Sequence, residues 1–597
     1  MIADAWHAVR LGVRAAAGRL AAGLAVTLLA AAVPVATVWL LRGLLDALSG
    51  GDGAARALPG GGTARALAWF VPVLVLAAAL PSLATFLEHE VGRVVGRRAQ
   101  SDLYLATARL TGLARLEDPA FHDRLRMAQS AGRTGPGQVI AGLLGTGQLV
   151  VTLAGLVAVL AAISPAIAAV TLLGLVPALV AEIRLSREQA AMLWSISPHE
   201  RREFFYAELQ TSLPAAKEVR LLGLSELFRL RMLDELAAAD GQRRRLDART
   251  LRVQFALGVL SALVLGGALT WAALSGTFSV GDISALVAGI AALQATLASL
   301  VARVALIHHA LLLYRHFRAV LDSEPDLPLA AAPVPPLRRE IQLRDVWFRY
   351  SPEHKWILRG VNLVIPHGSA VGLVGLNGAG KSTLVKLLCR FYDPDRGAIL
   401  WDGTDIRELS LPGLRERIGA LFQDYMSYEL TAAENIALGD IHAPLDSAPA
   451  AAARAGIDPV LRALPHGYDT MLSRLFAEED SAGVLLSGGQ WQRLALARTY
   501  LRDRRDLLIL DEPSSGLDAE AEHAIHHGLR AHRTGATSLL ISHRLGALRD
   551  ADLLVVLSGG VVIERGTHAE LLALDGEYAR LFHLQADGYR PESEPVG

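Results

Sequence analysis

The chain has 597 residues, which is too long for one domain, and a formal net charge of −1, which argues against a nucleic-acid partner. Apolar residues make up 52% of the sequence and the mean hydropathy is +0.34, with the excess in the first half. A single cysteine, Cys389, excludes an internal disulfide framework.

Apolar segments long enough to cross a membrane fill the first half of the chain. Residues 1–19 mix arginine with apolar side chains, which is typical of an amphipathic helix on a membrane surface. A helix needs about 20 residues to cross the hydrocarbon of a membrane, and each later apolar segment is close to that length. The predicted spans are residues 21–41, 66–87, 139–163, 166–183, 255–274 and 283–306. They predict an all-α transmembrane domain of six helices over residues 1–321.

Arginine is concentrated in the two long polar segments between spans, residues 88–138 and 183–252. The short turns near 164 and 276 contain no Lys or Arg. The positive-inside rule therefore places both polar segments, and both chain ends, in the cytoplasm. Helical periodicity in the polar segments predicts that the spans continue well beyond the membrane. We expect a multi-pass protein of the plasma membrane, surrounded by membrane lipids.

Few polar side chains fall inside the spans. Gln148 and Gln294 are candidates for facing a cavity, and hydrogen bonding between helices explains each of them equally well.

A proline-rich linker is predicted over residues 322–340 because prolines there interrupt any regular element. They are Pro325, Pro328, Pro333, Pro335 and Pro336. The α/β pattern that follows predicts a second domain over residues 341–597.

The sequence GLNGAGKST at 375–383 fits the phosphate-binding P-loop pattern G-x-x-x-x-G-K-[ST]. An apolar strand, 370–374, precedes it and a helix follows, as the motif requires. Backbone N–H groups around the glycines would surround a phosphate, Lys381 would supply a positive charge, and the Ser382 hydroxyl would ligate Mg²⁺. The predicted nucleotide-binding residues in this loop are Gly375, Asn377, Gly378, Gly380, Lys381, Ser382 and Thr383.

Two further motifs narrow the class of P-loop protein. LSGGQ occupies residues 486–490, and the apolar run LLILDE at 507–512 ends in two carboxylates. In this order, the three motifs resemble those of the ABC (ATP-binding cassette) ATPases. Six spans followed by such a domain resemble an exporter-type half transporter, and the resemblance covers nearly the whole chain. It implies that ATP and Mg²⁺ are the cofactors.

The resemblance implies roles for residues around the P-loop. Tyr350 would stack on adenine, with Trp347 as the alternative. Gln423 and Asp511 would contact Mg²⁺, together with Ser382. The catalytic residues would be Glu512, as general base or by orienting water, His543 at a strand end, and Gln423.

The resemblance also implies a second chain. LSGGQ is the signature motif of this family, and it would close over the nucleotide of another ATPase domain through Ser487, Gly488, Gly489 and Gln490. Asp518, in the segment 515–518 that matches the family's D-loop, would cross that interface. We therefore expect a homodimer or a heterodimer of half transporters. Residues 476–483 are acidic and depart from the family's pattern, which leaves the role of this loop open.

Two short segments, residues 116–121 and 217–223, match the family's coupling helices in position and type. The predicted function is ATP-driven export of a hydrophobic or amphipathic small molecule, lipid or peptide. An importer or lipid flippase of the same fold remains an alternative, and so does an ATP-gated channel or regulatory ABC protein. The sequence leaves the transported substrate unknown.

Overall fold

The computed structural model describes residues 2–49, 63–473, 483–502, 505–513 and 536–587. Its contacts divide the chain into two compact units. The first unit comprises Met1–Ala108 and Ala120–Ser323, and the second comprises Arg109–Pro119 and Glu324–Gly597. The short segment between the second and third helices is thus part of the second unit.

The first unit is all-helical over the residues that the structure describes. Its helices are α1 (Ile2–Leu48), α2 (Thr63–Ala108), α3 (Pro119–Ile163), α4 (Pro165–Thr211), α5 (Leu213–Leu221), α6 (Ser225–Ser275) and α7 (Val280–Leu321). All except α5 are long and apolar enough to cross a membrane. The prediction of an all-α region with six membrane-spanning helices is therefore confirmed.

The six long helices contain 42 to 51 residues. At a rise of about 1.5 Å per residue, each is roughly 60 to 75 Å long, about twice the hydrocarbon thickness. The expectation that the spans continue as helices beyond the membrane is thus correct. In α1 the predicted surface helix and the first span form one element with a kink at Ala16, where φ is −151°.

Small and apolar residues form the core of the first unit. Leu156, Leu160 and Ile290 are buried with residues of α1, α4 and α6. Gly289 brings α7 close to α3, because a Cβ there would lie 2.9 Å from Leu160. The Thr152 hydroxyl donates to the Ala31 carbonyl of α1 at 3.0 Å, an interhelical hydrogen bond that satisfies a buried polar group.

The described residues of the second unit form two sheets. The strands are β1 (Glu340–Phe348), β2 (Leu358–Pro366), β3 (Ala370–Val374), β4 (Arg396–Trp401), β5 (Thr404–Asp405), β6 (Ile418–Leu421), β7 (Leu507–Asp511), β8 (Thr537–Ile541), β9 (Leu553–Ser558) and β10 (Val561–Gly566). One sheet has the antiparallel order β2-β1-β4-β5. The other has the order β10-β9-β3-β8-β7-β6, in which all neighbours except β10 and β9 are parallel.

Every residue of β3, β7 and β8 is buried, which is why these strands read as continuous apolar runs. The helices of this unit are α8 (Lys381–Leu388), α9 (Leu411–Glu416), α10 (Ala432–Ala437), α11 (Ala448–Arg454), α12 (Asp458–Arg462), α13 (Gly488–Leu501), α14 (His568–Ala573) and α15 (Glu577–Asp587). The parallel strands end at one edge of the sheet, where ligands of such folds bind. The predicted α/β class is confirmed.

The proline-rich segment packs as part of the second unit. Val334 and Leu337 are buried in its core, and Ala330 pairs with Ser410 in an isolated parallel bridge. The Trp401 indole N–H donates to the Pro335 carbonyl at 3.0 Å. This segment is therefore an ordered extension of the domain.

Candidate active site

The P-loop connects the end of β3 to the start of α8. Gly378 and Gly380 have φ values of 80° and 106°, in the left-handed region that favours glycine. Gly375 is needed for a different reason, since a Cβ there would lie 2.3 Å from the Leu557 carbonyl oxygen. The loop therefore exposes backbone N–H groups at the N-terminus of α8, a geometry suited to binding phosphate.

Lys381 and Asp511 are the charged groups nearest to this loop. The Lys381 ammonium donates to the carbonyls of Gly375 at 2.7 Å and Leu376 at 3.1 Å. Burial lowers the pKa of Lys381, and the carboxylates of Asp511 and Glu512 oppose that shift. Burial and the neighbouring Glu512 charge raise the pKa of Asp511 to about 6. Lys381 therefore offsets only part of the negative charge of Asp511 and Glu512. The remaining charge favours a bound cation between these carboxylates and the phosphates.

Glu512 is the centre of the predicted catalytic residues. Its Oε2 accepts a hydrogen bond of 3.0 Å from the Gln423 side-chain amide. Its Oε1 lies 3.4 Å from His543 Nδ1. Gln423 follows β6, Glu512 follows β7 and His543 follows β8, so neighbouring strand ends bring the three side chains together.

The Glu512 backbone is held in an unusual conformation. Its φ is +53°, which is rare for a residue with a Cβ and costs about 1–3 kcal/mol. Its N–H donates to the Ile541 carbonyl at 2.8 Å, and its carbonyl accepts from the buried Gln492 side chain at 2.8 Å. Sequence reasoning missed Gln492. The signal for it was a polar residue on the otherwise buried face of α13.

Tyr350 lies beside the P-loop helix. Its hydroxyl is 3.1 Å from Thr383 Oγ1, and its ring meets Phe348 and Tyr392 edge to face. Trp347, the alternative, instead contacts Trp356 and donates its indole N–H to Asp345. The aromatic side chain next to the P-loop is therefore that of Tyr350.

Residues Arg109–Pro119 of the second unit reach the same helix. The Glu117 carboxylate forms a 2.8 Å salt bridge with Lys386 of α8 and accepts from the Tyr392 hydroxyl. The Lys386 ammonium also lies 5.1 Å from the centroid of the Tyr350 ring, a cation–π contact. Sequence reasoning missed this chain of contacts, because it joins residues separated by 269 positions.

The segment expected to be a coupling helix at 116–121 is not a separate helix. The Glu117 N–H donates to the Leu113 carbonyl at 2.8 Å, which closes a single turn, and α3 begins at Pro119. The proline explains this, since it favours the first position of a helix and so starts α3 there. The other segment, 217–223, corresponds to the end of α5 and the turn at Gly223, where φ is +64°.

The signature residues begin α13. Ser487 is the N-cap, and its side chain and that of Gln490 form a reciprocal capping box with the backbone. The Tyr425 hydroxyl donates to the Gly488 carbonyl at 2.9 Å. Among the described residues, no hydrogen bond or ion pair joins residues 487–490 to the P-loop, so the structure does not bring these two motifs together.

The residues at the P-loop fit Mg²⁺. This ion prefers carboxylate, hydroxyl and amide oxygens, usually with few carboxylates and several waters. Ser382 hydrogen-bonds the Asp511 carboxylate, and the Gln423 amide lies at the adjacent carboxylate. Asp518 and most of the acidic stretch 476–483 lie outside the described residues.

Comparison with known proteins agrees with this geometry. Residues 358–515 match the family model described as ABC transporter. A solved bacterial Atm1-family ABC exporter with ATP bound superimposes with a TM-score of 0.80, covering 96% of this chain and 99% of that one at 25% identity. The chain contains an ABC transporter domain and is similar, over nearly its whole length, to an exporter-type ABC half transporter. The match extends over both regions of the chain and so includes the six spans.

Curated relatives of this chain match over shorter stretches. A mitochondrial potassium channel ATP-binding subunit from Xenopus tropicalis is 45% identical over 44% of this chain and 38% of its own length. An ATP-dependent lipid A-core flippase from Chromohalobacter salexigens is 36% identical over 55% of this chain and 56% of its own length. The chain thus spans only about two fifths to slightly over half of these relatives.

We expect the Tyr350 ring to contribute to ATP affinity through stacking. Replacing Tyr350 by Leu should weaken ATP binding about tenfold, because stacking of a base on an aromatic ring contributes about 1–3 kcal/mol. Tyr350→Phe keeps the ring and loses the contacts of the hydroxyl with Thr383 and Lys386, so its affinity for ATP should stay within about threefold of the parent. Equilibrium binding of a fluorescent ATP analogue to the intact chain measures both. Equal losses in the two variants would contradict stacking.

The raised pKa of Asp511 predicts a pH-dependent effect on stability. The pKa of Asp511 is higher in the folded chain than in the unfolded chain. The free energy of unfolding therefore falls as pH rises from about 4 to about 6 and Asp511 loses its proton. Asp511→Asn should therefore raise the melting temperature of the nucleotide-free chain at pH 7.5, and the gain should shrink toward pH 4. Thermal unfolding in detergent at several pH values measures this. The exposed Asp446→Asn is the control, and a pH-independent gain would contradict the prediction.

Proposed function

We propose that this chain is the subunit of an ATP-hydrolysing transporter that exports an amphipathic small molecule, lipid or peptide. The observation that carries the proposal is the cluster of Gln423, Glu512 and His543 at the P-loop, in a chain with six membrane-spanning helices. A carboxylate held at this position by two side chains is suited to activating water for hydrolysis, which the binding of ATP alone does not require.

The proposed mechanism assigns a task to each polar group of the site. Lys381 and the N-terminus of α8 hold the phosphates of ATP. Ser382, Asp511 and Gln423 would hold Mg²⁺, which when bound neutralises charge on the phosphates. Glu512 accepts a proton from the attacking water or orients it, and the contacts from Gln423 and His543 fix the position of its carboxylate. The reaction is phosphoryl transfer to water.

A second half transporter completes the ATP site in this proposal. Ser487 and Gly488 are exposed at the N-terminus of α13, where backbone N–H groups and the helix dipole favour an anion. Leu221 and Leu222, at the end of α5, are 85% and 62% exposed, an apolar surface that suits docking on the partner's ATPase domain. The partner is a second copy of this chain or a related half transporter.

The coupling route that we propose passes through Glu117. This side chain follows α2 and precedes α3, so any movement of those two helices would act on it. Its salt bridge to Lys386 leads to the Tyr350 ring, where adenine is proposed to bind. ATP binding and helix movement would therefore share one chain of contacts.

The proposed location is the plasma membrane, with the ATPase domain in the cytoplasm. Import or lipid flipping on the same fold is the first alternative, and the flippase relative keeps it open. An ATP-gated channel or regulatory role is the second, and the potassium-channel relative keeps that open. A transport assay in inside-out vesicles distinguishes export from these alternatives. ATP-dependent accumulation of the substrate supports export, and its efflux supports import. Downhill flux of the substrate without ATP hydrolysis supports a channel.

We expect Glu512→Gln to abolish steady-state ATP hydrolysis by the purified chain in lipid nanodiscs. The amide keeps the size of the side chain and cannot accept the proton, so the rate should fall at least about a hundredfold while ATP still binds. Glu408→Gln, the same substitution at an exposed site, is the control. A rate that survives Glu512→Gln would overturn the assignment.

The particle mass in the same experiment tests the dimer. Hydrolysis at dimer mass supports a self-sufficient homodimer. A folded particle of single-chain mass with negligible hydrolysis means that a different partner chain is required.

A further inference from the structure

A large cavity lies between α2, α3 and α7 of the first unit, with a volume of about 1510 Å³. Its α2 residues run from Glu88 to Gln100, directly after the predicted span 66–87. Arg303, near the end of the sixth predicted span, lines it from α7. The cavity therefore opens at the cytoplasmic ends of the spans, where a molecule bound for export would enter. Typical ligand pockets are smaller, about 300–1,000 Å³.

The lining of this cavity is strongly basic. Four arginines and one glutamate line it, a net formal charge of +3. The arginines are Arg93, Arg97, Arg133 and Arg303, and the glutamate is Glu88. Gln148, singled out from the sequence, also lines it. Positive charge on the walls of a cleft concentrates the field there, and guanidinium groups match the geometry of carboxylate and phosphate.

The positive-inside rule alone would put arginines at these helix ends, pointing to water or lipid headgroups. Arg303 does neither. Its guanidinium donates to the Ala141 carbonyl of α3 at 3.2 Å and lies 3.8 Å from the Glu88 carboxylate of α2. A Cβ at position 145 would lie 2.5 Å from the same guanidinium, so Gly145 leaves the space that Arg303 occupies. Three helices thus hold this charge at the cavity.

Among the described residues, two other arginines lie at the cavity without a salt bridge, although Glu90 of the same helix interacts electrostatically with Arg97. Within the part of the chain that the structure describes, neither Arg97 nor Arg133 forms a salt bridge, whereas the neighbouring Arg98 pairs with Asp102. The helices that carry Arg97 and Arg133 cross closely, because a Cβ at Gly96 would lie 2.5 Å from the Arg133 carbonyl oxygen. The crossing keeps the two charges near each other on the same cavity.

We propose that this cavity binds the transported molecule and that this molecule is an amphipathic organic anion. Its acidic groups contact Arg97, Arg133 and Arg303, and its apolar part lies along Leu149 and Leu306. This assignment rests on the proposed transport function and narrows the class of cargo, because a neutral hydrophobic molecule would offer no acidic group to Arg97 and Arg133, which form no salt bridge among the described residues. Carboxylate and phosphate compounds, including anionic lipids, share the required chemistry.

The first test is equilibrium binding without nucleotide, using the intact chain in phosphatidylcholine nanodiscs. The probe is dansyl-glutamate, and its uncharged diamide is the comparison. We expect the dianion to bind, the diamide to bind at least about tenfold more weakly, and added salt to weaken the dianion. Equal binding of the two probes overturns the proposal. ATP hydrolysis is not needed, so this result is independent of whether the chain is a pump.

Matched variants test the position of the site. Arg97→Gln and Arg303→Gln should each weaken the dianion about tenfold, and Arg98→Gln, one position along the same helix, should not. Gly145→Ala should weaken it by displacing Arg303, whereas Gly147→Ala, with open space around its Cβ position, should not. Each variant must elute as the same particle as the parent. Equal losses of affinity for the dianion in Arg97→Gln and Arg98→Gln overturn the proposal, because they would show an effect of the total positive charge and not of a specific site.

A second arm distinguishes a lipid from a soluble anion. ATP hydrolysis is measured in phosphatidylcholine nanodiscs with added dansyl-glutamate, and in nanodiscs that contain phosphatidylglycerol. Stimulation by the soluble dianion supports a soluble cargo, and stimulation only by phosphatidylglycerol, lost in Arg303→Gln, supports a lipid headgroup. Probe binding with no hydrolysis in any lipid, by a particle of dimer mass, would leave the cavity assignment standing and contradict the proposed pump.

Discussion

The strained position of Glu512 is the constraint on which the rest of the ATPase unit depends. Its backbone adopts a left-handed conformation at the end of a fully buried strand. A hydrogen bond that its N–H donates to β8 and another that its carbonyl accepts from Gln492 compensate for that strain. The side chain can then lie between Gln423 and His543. The buried parallel strands, the packing of α13 and the acidic edge of the sheet all contribute to one carboxylate position.

Much of this site could be predicted from the sequence because its parts are contiguous or end adjacent strands. The P-loop glycines, Lys381 and Asp511 belong to short motifs whose conformation is local. Gln423 and His543 each follow a buried strand, so their meeting at one sheet edge follows from the topology. The six spans were equally visible, since a run of about twenty apolar residues has the length that crosses the hydrocarbon.

The parts that were not predictable depend on contacts between distant residues. Nothing local marks Glu117 as the partner of Lys386. Residues 116–121 form a turn and the start of α3 rather than a separate short helix, because Pro119 begins the long helix. From the sequence, the arginines near the spans indicated only the orientation of the chain in the membrane, and not the cavity that they line. That Arg303 lies over Gly145, within reach of Glu88, depends on how three helices cross, which periodicity does not specify.

The attachment of Arg109–Pro119 to the second unit has a consequence for how this protein is divided for study. A fragment that starts at Glu324 would lack Glu117, leaving Lys386 and the Tyr392 hydroxyl without their acidic partner. It would also lack the carbonyl of Thr111 that accepts from Arg415 at 2.7 Å. Nucleotide affinities of such an excised domain would therefore be measured on a surface that lacks these contacts beside α8.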